Sequence, residues 1–264
     1  ARKTMEAMNY TLGRGELYFN QFKPGTMSGI GERYFGNTPE ISISIESETL
    51  DHYNSDRGVR EKDDSVILET SRTMTFTTDH VSPHNLALFY LGSVDALTVT
   101  GATGEEETFE DVTPGLFYQL GVTQANPTGA RIVSNVVVTD DSGTPTTFVA
   151  GTDYMLNAEL GRIEILEGGN ITKGTNIVVT YDVAASTREV VISGASAIEG
   201  SLRYVAQNPK GKNIDYYFPY VKISPNGDFA LKGDEWQQIP FTVEILRRPG
   251  FEAIYATSRA TAAP

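Results

Sequence analysis

The sequence predicts an all-β fold, mainly antiparallel, with one flanking α-helix. Three observations carry that prediction. Apolar and polar residues alternate through much of Ile41–Leu50 and again of Val66–Thr77, the period of a strand with one buried face. Only one stretch, Ser82–Leu91, shows a helical pattern with signals at both ends. Glycine, proline and Asx turn signals recur through the remainder at the spacing of short strands.

The first ten residues are polar and unpatterned and read as an arm. Glu16–Phe22 is a first strand, aromatic-rich as strands prefer. Lys23-Pro24-Gly25 stops it, and a glycine-rich stretch leads on to Pro39. In the next strand Ile41, Ile43 and Ile45 share one face, while Ser42, Ser44, Glu46 and Glu48 share the other. A charged loop, Asp51–Asp64, follows. Beyond it Val66, Leu68, Met74 and Phe76 share a face, and Glu69, Ser71, Thr73, Thr75 and Thr77 the opposite one. Arg72 interrupts the apolar side, which marks part of it as an interface rather than core. The polar face is Ser, Thr and Glu, not the Lys/Glu mixture of an ordinary wet surface, and such a face suits a wall or a channel. In the helix, Ser82 stands at the N-cap, Pro83 at the first helical position and Gly92 just past the end. Leu86, Leu88, Phe89 and Leu91 supply an apolar side to lay on a sheet.

The texture changes near Gly101. Residues 101–186 hold twelve acids against three bases, a large share of the chain's net charge of −13. An acidic loop, Glu105–Asp111, introduces short strands at Phe117–Leu120, Ile132–Val138, Thr147–Ala150, Arg162–Leu166 and Ile177–Val183. That spacing fits a small antiparallel sandwich. Longer strands return at Glu189–Ile192 and Ala197–Ala206. Tyr216–Ser224 and Asp228–Lys232 form a hairpin through Pro225-Asn226-Gly227. Ile239–Leu246 alternates again, with Phe241, Val243 and Ile245 on one face, and the end from Ala256 is a small-residue tail. The organisation is therefore 1–100, 101–186 and 187–264, the first and third segments completing one domain around an acidic insert.

Composition narrows the chemistry. Hydrophobic content of 39% and charged content of 21% are globular values. The acidic balance opposes capture of nucleic acid or an anionic membrane. With no cysteine, disulfides and thiolate chemistry are excluded. No apolar run approaches a membrane span and the start lacks an apolar signal region, so a soluble protein made in the cytosol is expected. His80 and His84 are four apart but begin outside the helix and lack a third ligand. Asp51, Asn54 and Asp56 miss the calcium-loop spacing. Glu46 and Glu48 are better read as one polar strand face than as paired catalytic carboxylates. Gly13/Gly15 and Gly29/Gly31 lack a dinucleotide fingerprint. No catalytic residue, metal or cofactor is expected. Trp236, the only tryptophan, reads as core or as a subunit contact rather than a carbohydrate platform.

Gly15-Glu-Leu-Tyr-Phe19, Arg33-Tyr-Phe-Gly-Asn-Thr-Pro-Glu40, the alternating strand after them, the long charged loop and the helix ending Leu91-Gly92 resemble the major tail tube proteins of siphophage-like tailed bacteriophages. Ile198-Glu-Gly-Ser-Leu-Arg-Tyr204, Pro219-Tyr-Val221, Pro225-Asn-Gly-Asp228 and Leu231-Lys-Gly-Asp-Glu-Trp236 are similar to the matching half of that family. The resemblance covers 1–100 and 187–264. It implies a tail-tube β-sandwich or barrel carrying a small immunoglobulin-like β-sandwich at 101–186. It also implies a structural virion protein without enzymatic activity, whose homohexameric rings stack into a tube. On that reading Ser42, Ser44, Glu46, Glu48, Glu69, Ser71, Thr73 and Thr75 face the lumen. Double-stranded DNA would pass such a wall during genome ejection without specific binding. Asp51, Asp56, Arg57, Arg60, Glu61, Lys62, Asp63 and Asp64 would form an inter-ring stacking loop, ordered only on stacking, with Arg57, Arg60 and Lys62 meeting acids of the neighbour. The implied partners are the chain itself and other tail proteins at the tube ends. The implied location is the virion, assembled in the host cytoplasm, with no membrane insertion. A virion decoration or adhesion protein with a surface- or glycan-binding sandwich is the alternative, and a soluble glycan-acting enzyme a third class.

Overall fold

The computed structural model describes residues 8–56 and 58–261; the expected arm at residues 1–10 lies mostly outside them. In chain order the strands begin with β1 (Gly15–Phe22), β2 (Gly29–Tyr34), β3 (Glu40–Asn54) and β4 (Glu61–Thr78), followed by α1 (Pro83–Phe89). Then come β5 (Ser93–Val99), β6 (Ala102–Val112), β7 (Phe117–Gln119), β8 (Val133–Asp140), β9 (Tyr154–Asn157), β10 (Arg162–Ile165) and β11 (Thr175–Val183). The chain continues through β12 (Ser186–Ile192), β13 (Ile198–Ala206), β14 (Ile214–Pro225), β15 (Ile239–Ile245) and β16 (Tyr255–Ser258). The fold is all-β and mainly antiparallel, with one helix among the described residues. It divides into two compact units, residues up to 95 with those from 191 onward, and residues 96–190. The boundaries fall within β5 and β12, which pair with each other, rather than at 100/101 and 186/187.

The larger unit is one sheet in the order β2-β1-β13-β14-β15-β4-β3, with β16 alongside the start of β14. Its strand pairs are antiparallel. Alternation sends Met74, Phe76, Phe241, Val243, Val221 and Ile223 to a single core that α1 covers with Leu88. Phe76 stacks on Phe241 at 5.1 Å and meets Phe35 edge-on at 4.9 Å. Each such side chain removed from water contributes about 1.5–3 kcal/mol.

The helix starts as its sequence predicts: the Ser82 hydroxyl accepts from the Asn85 amide N–H at 3.2 Å. Its end differs. Leu91, at φ 53°, takes the left-handed position, and Gly92 N–H reaches back to the Ala87 carbonyl at 2.8 Å. Gly92 is required for a different reason: a Cβ there would lie 1.7 Å from the Ile192 carbonyl oxygen.

Several expected elements change. The glycine-rich stretch contains β2, paired with β1. The charged loop Asp51–Asp64 is mostly strand: β3 runs to Asn54, β4 starts at Glu61, and His52 stands opposite Asp64. A β-bulge after Glu48 places Val66 opposite Leu50, so Val66 joins the polar face instead of the Met74 face. Asp228–Lys232 is not a strand; β14 pairs with β15 across the longer segment 226–238. Tyr255–Ser258, expected as tail, adds a strand because its backbone completes the free edge of β14.

The second unit packs the sheets β7-β10-β9 and β6-β11-β8 around Val112, Leu120, Val138, Ile163, Ile165, Ile177 and Val179. The acidic loop expected at Glu105–Asp111 is part of β6, paired with β11. Glu105, Glu106, Glu110 and Asp111 are accommodated because they face water, while Phe109 and Val112 turn towards the core and Glu107 is half-buried beside them. Glu107 accepts from Gly121 N–H at 2.8 Å and faces the Tyr181 hydroxyl at 3.4 Å. Burial, then Glu107, pushes the Tyr181 phenol up to about 12. Thr147–Ala150 makes isolated bridges only, and Tyr154–Asn157 supplies the strand instead.

Candidate functional site: the polar face of the large sheet

The eight residues expected on one wall do share one face, as four directly opposed pairs. Ser42 stands opposite Thr75, Ser44 opposite Thr73, Glu46 opposite Ser71 and Glu48 opposite Glu69. Seven of the eight are exposed and Thr73 is half-buried. The hydroxyls of Ser42 and Thr75 lie 3.1 Å apart and hydrogen-bond across the strands. Glu48 and Glu69 put like charge opposite like charge, which costs stability in an isolated hairpin.

The register extends this face beyond the residues expected. Thr75 faces Thr242 and Thr73 faces Glu244 on β15. Those in turn oppose Ser224 and Lys222 on β14, and Lys222 opposes Glu199 on β13. Two polar rows result: Ser42–Thr75–Thr242–Ser224, and Ser44–Thr73–Glu244–Lys222–Glu199. Behind them the alternate residues Phe76, Met74, Phe241, Val243, Ile223 and Ile198 are buried. Thr242 and Glu244 were visible as the polar partners of Phe241, Val243 and Ile245. Lys222 departs from a purely acidic wall. Its ammonium lies 3.4 Å from Glu199, whose carboxylate also accepts from the Tyr220 hydroxyl at 2.9 Å. Tyr220 and Glu199 together hold Lys222 above its ordinary value.

Towards the tip the hairpin leaves the sheet, since β15 pairs β4 only as far as Thr73. Leu50, Val66, Ile67 and Leu68 are each more than half exposed there. Several of the charged residues have side-chain partners inside the chain. Lys62 lies 2.6 Å from Asp51, and His52 contacts Asp63. The Arg60 guanidinium sits 4.5 Å from the centre of the Tyr53 ring. Glu61 stands opposite Asn54, Asp64 opposite His52, and the Asp56 N–H donates to Asn54 Oδ1 at 2.9 Å. The stretch expected as a loop is thus a paired strand end, with the Lys62–Asp51 and His52–Asp63 pairs reaching diagonally across the two strands. Arg57 lies outside the described residues.

β3 is the edge of the sheet, fifteen residues long, and no described strand covers its outer side. Trp236 is not core: it is 91% exposed. Among the described residues no group of three or more His, Asp or Glu is placed to hold a metal ion, and no helix is long and apolar enough to cross a membrane.

Residues 10–253 match the model of the family described as Protein of unknown function UCP028589, and the chain belongs to that family. The match runs through both units. No curated protein matches the chain.

Proposed function

We propose that this family member is a structural, non-enzymatic virion subunit. In this reading copies of the chain assemble into hexameric rings, and the rings stack into a tail tube for genome ejection. The observation that carries the reading is the pairing of a continuous Ser/Thr/Glu face with a long uncovered edge strand on the same sheet. An edge of fifteen residues with free N–H and C=O groups is a template for another strand. Closing it against the next copy makes a barrel whose two faces are already specified: apolar outward against α1, polar inward to the lumen. A wall of Ser, Thr and Glu repels phosphate and offers double-stranded DNA nothing to hold. Lys222 fits this wall because Glu199 and Glu244 flank it on the neighbouring strands. The exposed apolar residues of the hairpin tip, Leu50 and Val66 to Leu68, supply a contact to the adjoining ring. The resemblance of residues 1–100 and 187–264 to tail tube proteins supports the same reading, with other tail proteins at the tube ends.

Negative-stain microscopy of the purified protein tests it. Rings or tubes with a central hole are expected, and discrete particles at all concentrations would remove the proposal. Deleting residues 52–62 is expected to leave a folded subunit that no longer forms long tubes. Reversing Glu46, Glu48 and Glu69 to lysine is expected to leave tubes intact while slowing genome passage in the assembled phage.

A further inference from the structure

The segment between β14 and β15 is a closed loop with Leu231 and Trp236 turned outward. Its base is tied: Asn226 N–H donates to the Pro240 carbonyl at 3.1 Å, and Phe229 packs against Phe89 at 5.8 Å. The Gln237 side-chain amide donates to the Ala230 and Leu231 carbonyls at 3.0 and 3.2 Å. From this tied loop Trp236 and Leu231 project 91% and 75% exposed. An exposed indole on a fixed support is the feature of an interface anchor, because its large area is offered at little entropic cost.

The same unit carries a socket of matching chemistry. Ile41, Ile43, Met74, Tyr204, Tyr216 and Phe218 line a half-open cleft of about 440 Å³. Ile43 is 40% exposed in it, although it lies on the apolar side of β3. The charges complement as well. Lys212 stands at the cleft and Arg14 in the adjoining recess beside Tyr204, neither with a carboxylate partner among the described residues. Asp234 and Glu235 immediately precede Trp236 and are likewise unpaired and exposed. Within one chain Trp236 lies beside Asp79 and Val81, not at the cleft.

We infer that the Trp236 loop is a plug that seats Trp236 and Leu231 in the Ile41–Ile43–Tyr216 cleft of a second copy, with Asp234 and Glu235 meeting Lys212 and Arg14. Plug and socket are different surfaces of one chain, so the contact is head-to-tail and propagates into a ring or a filament. The inference rests on the self-assembly reading above and names a specific contact within it.

The absence of native cysteine makes the test clean. An Ile43→Cys/Trp236→Cys double variant, oxidised under assembling conditions, is expected to give a covalent ladder beyond dimers. Peptide mass spectrometry should find the 43–236 linkage in it, whereas each single variant stops at dimers. Trp236→Ala is expected to raise the concentration needed for self-association, by sedimentation, at least about tenfold, with Trp236→Phe retaining most of the affinity. Glu235→Lys should weaken association and a Lys212→Glu partner change should restore part of it. If wild type assembles but Trp236→Ala assembles at the same concentration and no 43–236 linkage forms, the plug is refuted while the assembly reading stands. If wild type stays monomeric throughout, both fall.

Discussion

The two ends of the β3–β4 hairpin carry one alternating pattern and live in different environments. At its base, residues 40–44 and 73–78, the β4 side lies in the core, where Met74 and Phe76 are almost wholly removed from water and Ile41 packs against them, while Ile43 on β3 opens to the cleft. At its outer end, residues 45–54 and 61–72, both faces are open, and Ile45, Leu50 and Val66 to Leu68 are each more than half exposed. The base is held by apolar burial; the tip is held by backbone pairing and cross-strand charges. The difference teaches that alternation encodes which way a side chain faces, not whether anything covers it. Uncovered apolar residues on a well-paired hairpin point to a surface that a further molecule completes.

The largest effect should come from the base. Phe76→Ala removes a ring packed on Phe35 and Phe241 and is expected to destabilise the isolated subunit by about 3–5 kcal/mol in urea denaturation. Ile45→Ala, on the same face of the same hairpin, is expected to stay within about 0.5 kcal/mol. Its consequence should appear in self-assembly instead. Comparable losses at both positions would mean that the tip is packed within one chain, and the contrast would fail.

How much of this was legible in the sequence follows from the same physics. The period-2 runs placed Ser42 to Glu48 and Glu69 to Thr75 on one face, and pairing then put each opposite its counterpart. The Ser82–Pro83 helix start was equally plain, because capping is a local interaction. What stayed hidden depended on partners distant in sequence. Glu105–Asp111 reads as a loop by charge but is a strand because β11 supplies its ladder. The Gly29–Tyr34 stretch looked like a linker, and β1 made it a strand. Asp51 to Asp64 reads as a charged loop, since nothing local announces that Lys62 lands beside Asp51. The bulge that moves Val66 to the polar face leaves no sequence signal either. Lys222 and Glu199 joined the candidate site only once the register of three further strands was known.

A smaller effect separates the two ends by charge. Glu48 and Glu69 are directly opposed at the start of the free part of the hairpin. Glu69→Thr removes the repulsion and is expected to slow amide exchange in the outer strands up to about fivefold at low salt. The gain should shrink as salt rises, because exposed charges are screened. Base amides should not respond. An equal change at both ends would show that the hairpin opens as one unit rather than from its tip.

The smallest and most local effect is a pH step confined to the tip. Lys62, with Ser65 contributing, holds the Asp51 carboxyl below the usual carboxylate range, and Asp51 holds the Lys62 ammonium above its own ordinary value. A depressed carboxyl contributes stability above its unfolded value, about 3.9, and loses it as pH falls through the lower folded value. A raised lysine contributes below about 10.4 and loses that as pH rises through its folded value. Protection at the tip is therefore expected to be flat between those limits and to fall on acidification below about pH 4. The base is held by Met74 and Phe76 in a cluster without carboxylates and should follow only global unfolding over this pH range. Hydrogen exchange corrected for intrinsic rates, read at residues 50–54 and 61–66 against 74–78, resolves the two. Lys62→Gln should lower tip protection at neutral pH and remove most of the acid step. A tip whose protection is unchanged down to pH 2 would show that the ladder alone holds it, and that the charges at 51 and 62 are free for a neighbour after all.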